Sequence, residues 1–161
     1  AIEEAKKARG KLTGEDQQKA DRLITDYTAK IDQITQSFKS ASLAEAVRPV
    51  DVYKGQDKEK WRDEIKTAWA KSYKGDQILA IIFNHADWER KVGEEWNAGY
   101  KRWEKYNKAV LELAVVVAQD KDTARIHPAF INKDNLSNQI VLGVKTKDSY
   151  GSIEILRSKL K

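Results

Sequence analysis

The sequence contains no cysteine and no methionine. Without cysteine there are no disulfides, no thiol nucleophiles and no thiolate metal sites. Both residues are liabilities in an oxidising compartment. Their joint absence, with a chain that begins at Ala1, points to a periplasmic, secreted or surface protein of bacterial type, with the cytoplasm left open. Long apolar runs are missing as well. The longest, Ala109 to Ala118, is interrupted by Glu112. It falls far short of the ~20 residues of a membrane-spanning helix.

Clustered charge is also lacking. The net charge is +5 and the pI about 9.2, which permits anionic partners. Lys and Glu are interspersed, however, and a nucleic-acid footprint is clustered rather than spread. Nucleic acid therefore ranks as a weak alternative partner.

Catalytic signatures are absent: no GxSxG, no P-loop and no GxGxxG occurs. The two histidines, His85 and His127, have Asp87 as a nearby carboxylate but no second imidazole at ligand spacing. Asn132 to Asn138 is rich in oxygen ligands, yet lacks the glycine and bidentate Glu of a calcium loop. Glu89, Glu94, Glu95 and Glu104 offer carboxylates, but nothing in the pattern marks one as buried. The expectation is a non-enzymatic protein with no cofactor and no metal.

What is present reads as architecture. A chain of 161 residues buries roughly 70% of its unfolded surface and needs no staples. Ile24, Tyr27, Ile31, Ile34 and Phe38 step by three and four along a helix from about Gly14 to Ser40. Thr13 and Asp16 form its capping box, and a weaker stripe of Ile2, Ala5, Ala8 and Leu12 precedes it. The spacing predicts an antiparallel helical pair, whose seam either closes within a monomer or pairs two chains as a dimer. Ser42 to Glu45 reads as a second capping box. Pro49 to Gln56 reads as a linker hinged at Gly55.

Asp57 then caps a third helix, on which Trp61, Ile65, Ala68 and Trp69 share one face. Tyr73 to Asp76 ends it, with Gly75 in the left-handed position. Strands follow at Gln77 to Asn84, Lys108 to Gln119, Ala124 to Asn132 and Gln139 to Thr146. Short polar turns between the last three predict an antiparallel meander. The tail from Ser149 leans to helix. The fold class is α+β: an N-terminal helical pair, then a helix packed on a sheet of about four or five strands, a cystatin-like or NTF2-like shape by analogy. The boundaries are 1–48 for the helical segment and 49–161 for the α+β part, unless both form one domain.

All five Trp lie between residues 61 and 103. Periodicity assigns Trp61 and Trp69 to the core. Trp88, Trp96 and Trp103 sit in polar surroundings, with Tyr100, Arg102 and Tyr106 interleaved. If 100–106 is a strand, Tyr100, Arg102, Glu104 and Tyr106 share a face, and Lys101, Trp103 and Lys105 take the other. If it is a helix, Trp96, Tyr100 and Trp103 form one stripe. These aromatics either close the end of a core or form a binding surface. Trp, Tyr and Arg are the residue types that anchor protein interfaces. A protein partner bound by Trp88, Trp96, Tyr100, Arg102, Trp103 and Tyr106 is the leading functional expectation. A small-ligand or glycan pocket between helix and sheet is the alternative.

Overall fold

A computed structural model describes residues 2–144 and 151–161. The chain divides into two compact units, Ala1–Glu45 and Ala46–Lys161. In the first, α1 (Ile2–Arg9) and α2 (Gly14–Glu45) are joined by a turn of four residues. So short a connection makes the helices antiparallel neighbours. Arg9 grips Asp21 with two parallel hydrogen bonds, of 2.7 and 2.8 Å, that bracket the turn. α2 runs through Ser42 without a break. The expected second capping box is therefore helix interior, because Ala41, Leu43 and Ala44 are good helix formers.

In the second unit, helix α3 (Lys58–Ser72) lies on a six-stranded antiparallel sheet. The strands are β1 (Ile78–Ile82), β2 (Glu89–Asn97), β3 (Arg102–Ala118), β4 (Thr123–Asp134), β5 (Ile140–Val144) and β6 (Ile153–Leu156). β1 and β2 pair successively along one edge of β3, and β5 and β6 successively along the far edge of β4. The sheet is thus a meander of four lanes, two of them interrupted. The interruptions raise the expected four or five strands to six. The last two residues of the expected strand at Gln139 to Thr146, and the start of the tail, lie outside the described residues.

Side chains alternate across the sheet, so each face carries its own core. On the α3 face, Trp61, Ile65 and Trp69 pack against Phe83, Leu111 and Leu113. On the opposite face, Ile82, Val116, Ile126 and Ile155 are buried together. Burying Ile65 completely is worth about 1.5–3 kcal/mol. The tail is a strand rather than a helix. Pairing with Thr123–Ile126 sets Ile155 into the second core, and only a short 3-10 turn, Arg157–Leu160, follows. The space between α3 and the sheet, where a ligand pocket was one expectation, is filled by Trp61, Trp69 and Phe83.

The stretch expected as a linker is pinned. Tyr53 is buried, and the Val52 N–H bonds to the Phe83 carbonyl at 2.9 Å. Lys58 and Arg62 both reach Asp51, at 2.7 and 3.1 Å. Asp57 occupies the N-cap position of α3, but its side chain makes no cap bond. It is held elsewhere: Tyr53 Oη donates to one carboxylate oxygen and Trp61 Nε1 to the other, each at 2.6 Å. Trp88 Nε1 donates in turn to Tyr53 Oη at 3.0 Å. At the other end of α3, Gly75 takes a φ of +90°, which a side chain would resist.

Burial alone raises the Asp57 carboxyl, but the bonds from Tyr53 and Trp61 outweigh it and hold it below the ordinary carboxylate value. A depressed carboxyl stabilises fully above that ordinary value of 3.8, and loses its contribution as pH falls through its lower folded value. Wild-type stability should therefore fall below pH 3.8 more steeply than that of Asp57→Asn. At neutral pH the substitution should cost about 1–3 kcal/mol. Urea unfolding at neutral and acid pH measures both, and equal losses in the two proteins would show that Asp57 carries no such contribution.

Candidate functional site

β4 pairs with β3 only as far as Lys108. Beyond it, residues 102–107 of β3 pair with β2 alone, opposite residues 92–97. Six residue pairs at ~3.4 Å each make a two-stranded arm about 20 Å long. Its tip is a loop of four residues, Ala98 to Lys101. Asn97 Oδ1 accepts the N–H groups of Gly99 at 3.0 Å and Tyr100 at 3.2 Å, an Asx turn that starts the reversal. Lys101 completes it at φ 50°. Halfway along the arm the Tyr106 ring lies over Gly93, where a β-carbon would fall 2.7 Å from its hydroxyl.

The arm is a strand pair, so the strand parity applies to residues 100–106. Trp96 stands directly opposite Trp103 on the α3 face, and their rings meet edge to face at 5.8 Å and 66°. Such a pair adds about 0.5–1.5 kcal/mol to hairpin closure. Both rings still remain largely in water, Trp96 at 52% and Trp103 at 66% exposure. Tyr100, at the tip, is 72% exposed, with the Arg102 guanidinium 5.2 Å from its ring centre. Arg102 also pairs with Glu104 at 2.7 Å, and Asn97 Nδ2 donates to the same carboxylate at 2.8 Å.

The other two expected residues lie apart. Trp88 is half-buried at the root of the arm, its ring edge-on to Trp61 at 5.8 Å. It belongs to the α3-side core. Tyr106 is half-buried on the opposite face, with Lys108 Nζ 5.0 Å from its ring centre. The structure therefore pairs Trp96 with Trp103 on one face of the arm and Tyr100 with Arg102 at its tip, and sets Trp88 and Tyr106 apart.

Two carboxylates of the arm, Glu95 and Glu104, are engaged. Glu95 and Glu104 stand directly across from each other, a repulsive placement. Lys108 offsets Glu95 at 3.1 Å. Hydrogen bonds from Asn97 and Arg102 hold the Glu104 carboxyl below its ordinary value, which does not suit a general acid. Around Asp134 the polar loop closes on itself: the carboxylate accepts the Leu136 N–H at 2.9 Å and the Ser137 hydroxyl at 2.6 Å.

The two histidines sit on opposite faces of the sheet. His127 is fully buried against Trp69, ring centres 5.2 Å apart, with Ser152 Oγ 3.2 Å from Nδ1. No local pattern in the sequence marks this burial, because the Trp69 contact comes from a distant helix. His85 lies 3.3 Å from Glu112 on the other face. Among the described residues no group of three or more His, Cys, Asp or Glu is placed to hold a metal ion.

Glu112 also lines a half-open cavity of about 390 Å³ on the face away from α3. Its walls are mainly apolar, with Ile126, Pro128, Phe130 and Ile153 contributing, and Asn84 and Asn132 add amides. In the sequence this site shows only as Glu112 interrupting an apolar run.

In single-Trp variants, acrylamide should quench Trp96 and Trp103 efficiently and leave Trp61 and Trp69 protected. Uniformly slow quenching would mean that the arm lies folded against a core. Compared with known proteins, the chain matches no family model, no curated protein and no solved structure.

Proposed function

We propose that this chain is a non-enzymatic binding protein that engages a protein partner through the tip of the β2–β3 arm, outside the bacterial cytoplasm. The observation that carries this reading is the joint exposure of Trp96, Trp103 and Tyr100 at one end of a hydrogen-bonded ribbon. A protein surface seldom keeps so much aromatic area in water without a use for it. Trp, Tyr and Arg dominate the energetic centres of interfaces, and this end of the ribbon carries two such pairs, Trp96 with Trp103 and Tyr100 with Arg102. Paired strands and the Trp–Trp contact hold them in place before binding, which lowers the entropy lost on association. The absence of cysteine and methionine supports the extracytoplasmic location.

A second reading, a small-ligand site, is favoured by the cavity beside Glu112. Its volume is at the low end of ligand pockets. A compact apolar body with a cationic head suits the Glu112 carboxylate among mainly apolar walls. Calorimetric titration with small apolar amines should give saturable heats that Glu112→Gln weakens about tenfold; flat titrations would remove this reading.

For the leading reading, the decisive comparison is between the wild type and Trp96→Ala/Trp103→Ala. The double variant should lose only about 0.5–1.5 kcal/mol of stability, because the pair lies outside both cores. Immobilised on a resin and exposed to an extracytoplasmic extract of the source cells, the wild type should retain a partner that the folded double variant releases. Equal retention by both would contradict the proposal, and so would global unfolding of the variant.

A further inference from the structure

No residue of α1 or α2 is buried, although α2 runs for 32 residues. A helix takes most of its stability in a protein from packing an apolar face. α2 has such a face. Leu23, Tyr27, Ile31, Ile34 and Phe38 are all exposed, Tyr27 at 58% and Phe38 at 73%. α1 lines only the N-terminal part of this seam, where Ile2, Ala5 and Leu12 form an apolar groove with Leu23, Ile24 and Tyr27. Beyond Ile31 the groove continues past Ile34, Phe38 and Ala41, and α2 alone lines it. The spacing of the seam is that of the inward positions of a coiled coil.

We propose that this groove is the docking site for the same hairpin of a second copy of this chain. Three observations select that occupant. Residues 1–45 carry eight basic and eight acidic side chains, so the unit has no net charge. Two copies do not repel each other, and neither a nucleic acid nor an anionic bilayer is drawn to the face.

The positions flanking the seam, which set partner choice in coiled coils, are Thr28, Lys30, Thr35 and Ser37. Like charges at those positions are one device that sets a helix against its own copy. Here a single lysine stands among hydroxyls, so self-pairing meets no such barrier.

The area also suits a dimer. Leu12, Leu23, Tyr27, Ile31, Ile34 and Phe38 are exposed. Together they offer on the order of 600 Å² of apolar side chain per copy, near the ~800 Å² that each partner buries in a standard interface. This surface is separate from the aromatic arm, and the proposal stands or falls independently of the function assigned to it.

Sedimentation equilibrium of the full chain, from low to high micromolar, tests it. The expected mass is twice the 18.4 kDa of one chain. Ile31→Glu/Ile34→Glu should return the mass to 18.4 kDa and leave intact the near-ultraviolet signal of the five Trp, all of which lie in the second unit. Because charged residues in the seam can also melt α2, Ile34→Ala/Phe38→Ala is the second variant. Alanine favours the helix, so helicity should persist while dimer affinity falls at least tenfold. Trp96→Ala/Trp103→Ala should remain dimeric. A wild type that stays at 18.4 kDa throughout would overturn the proposal. So would a dimer that survives both seam variants, or one that is lost with the Trp pair.

Discussion

The side-chain parity of β3 governs the second unit. β3 is the longest strand and pairs along both edges, with β1 and β2 on one side and β4 on the other. Its odd-numbered residues Leu111, Leu113, Val115 and Val117 face α3, and Ala114 and Val116 face the second core. A slip of one residue would exchange these sets and bury Glu112. The same parity, carried past Lys108 into the arm, puts Trp103 and Trp96 on the α3 face and Arg102, Glu104 and Tyr106 on the other. The exposed aromatic pair is thus a continuation of the core register beyond the point where the core ends. The two rings meet each other there and stay largely in water, outside the cluster that packs on α3.

Charge divides with the units. The 1–45 unit is neutral, so the whole net charge of +5 falls on 46–161. There it is distributed in short pairs, such as Lys58 and Arg62 with Asp51, Arg102 with Glu104 and Lys108 with Glu95. Half-exposed pairs of this kind contribute little to stability individually. Among the described residues, the exposed aromatic side chains fall in two places, the β2–β3 arm with Trp96, Tyr100 and Trp103, and the seam of α2 with Tyr27 and Phe38.

Where an element buries one face, its period was legible in the sequence. Trp61, Ile65 and Trp69 marked the inner face of α3, and alternation marked β3 and β4, because burial imposes the 3.6-residue and two-residue periods. β2 had no such signal. Its residues Glu89 to Asn97 are nearly all exposed, so no alternation was selected, and only pairing with β3 defines the strand. The stretch from Pro49 to Gln56 looked like a linker since Tyr53 is its single aromatic residue. Its burial depends on Asp57, Phe83 and Trp88, and Trp88 is 35 residues away. β6 was misread because Ile153, Leu156 and Leu160 fit a helix while Ile153 and Ile155 fit a strand, and the partner strand decided. For the arm, strand parity was one of two readings of residues 100–106. It separates Tyr106 from Trp103 correctly, but the burial of Trp88 required a contact with Trp61 that no local pattern encodes.

The central claim is that a well-packed sheet carries an ordered arm whose aromatic tip stands in water. Amide hydrogen exchange measures this directly, because protection reports the free energy of local opening. Protection should be strongest at residues 111–117 of β3, intermediate at 102–107, and slight at Ala98 to Lys101. Full protection of the arm, equal to that of 111–117, would contradict it by showing the arm packed into a core. Free exchange throughout 92–107 would contradict it by showing that no ribbon forms.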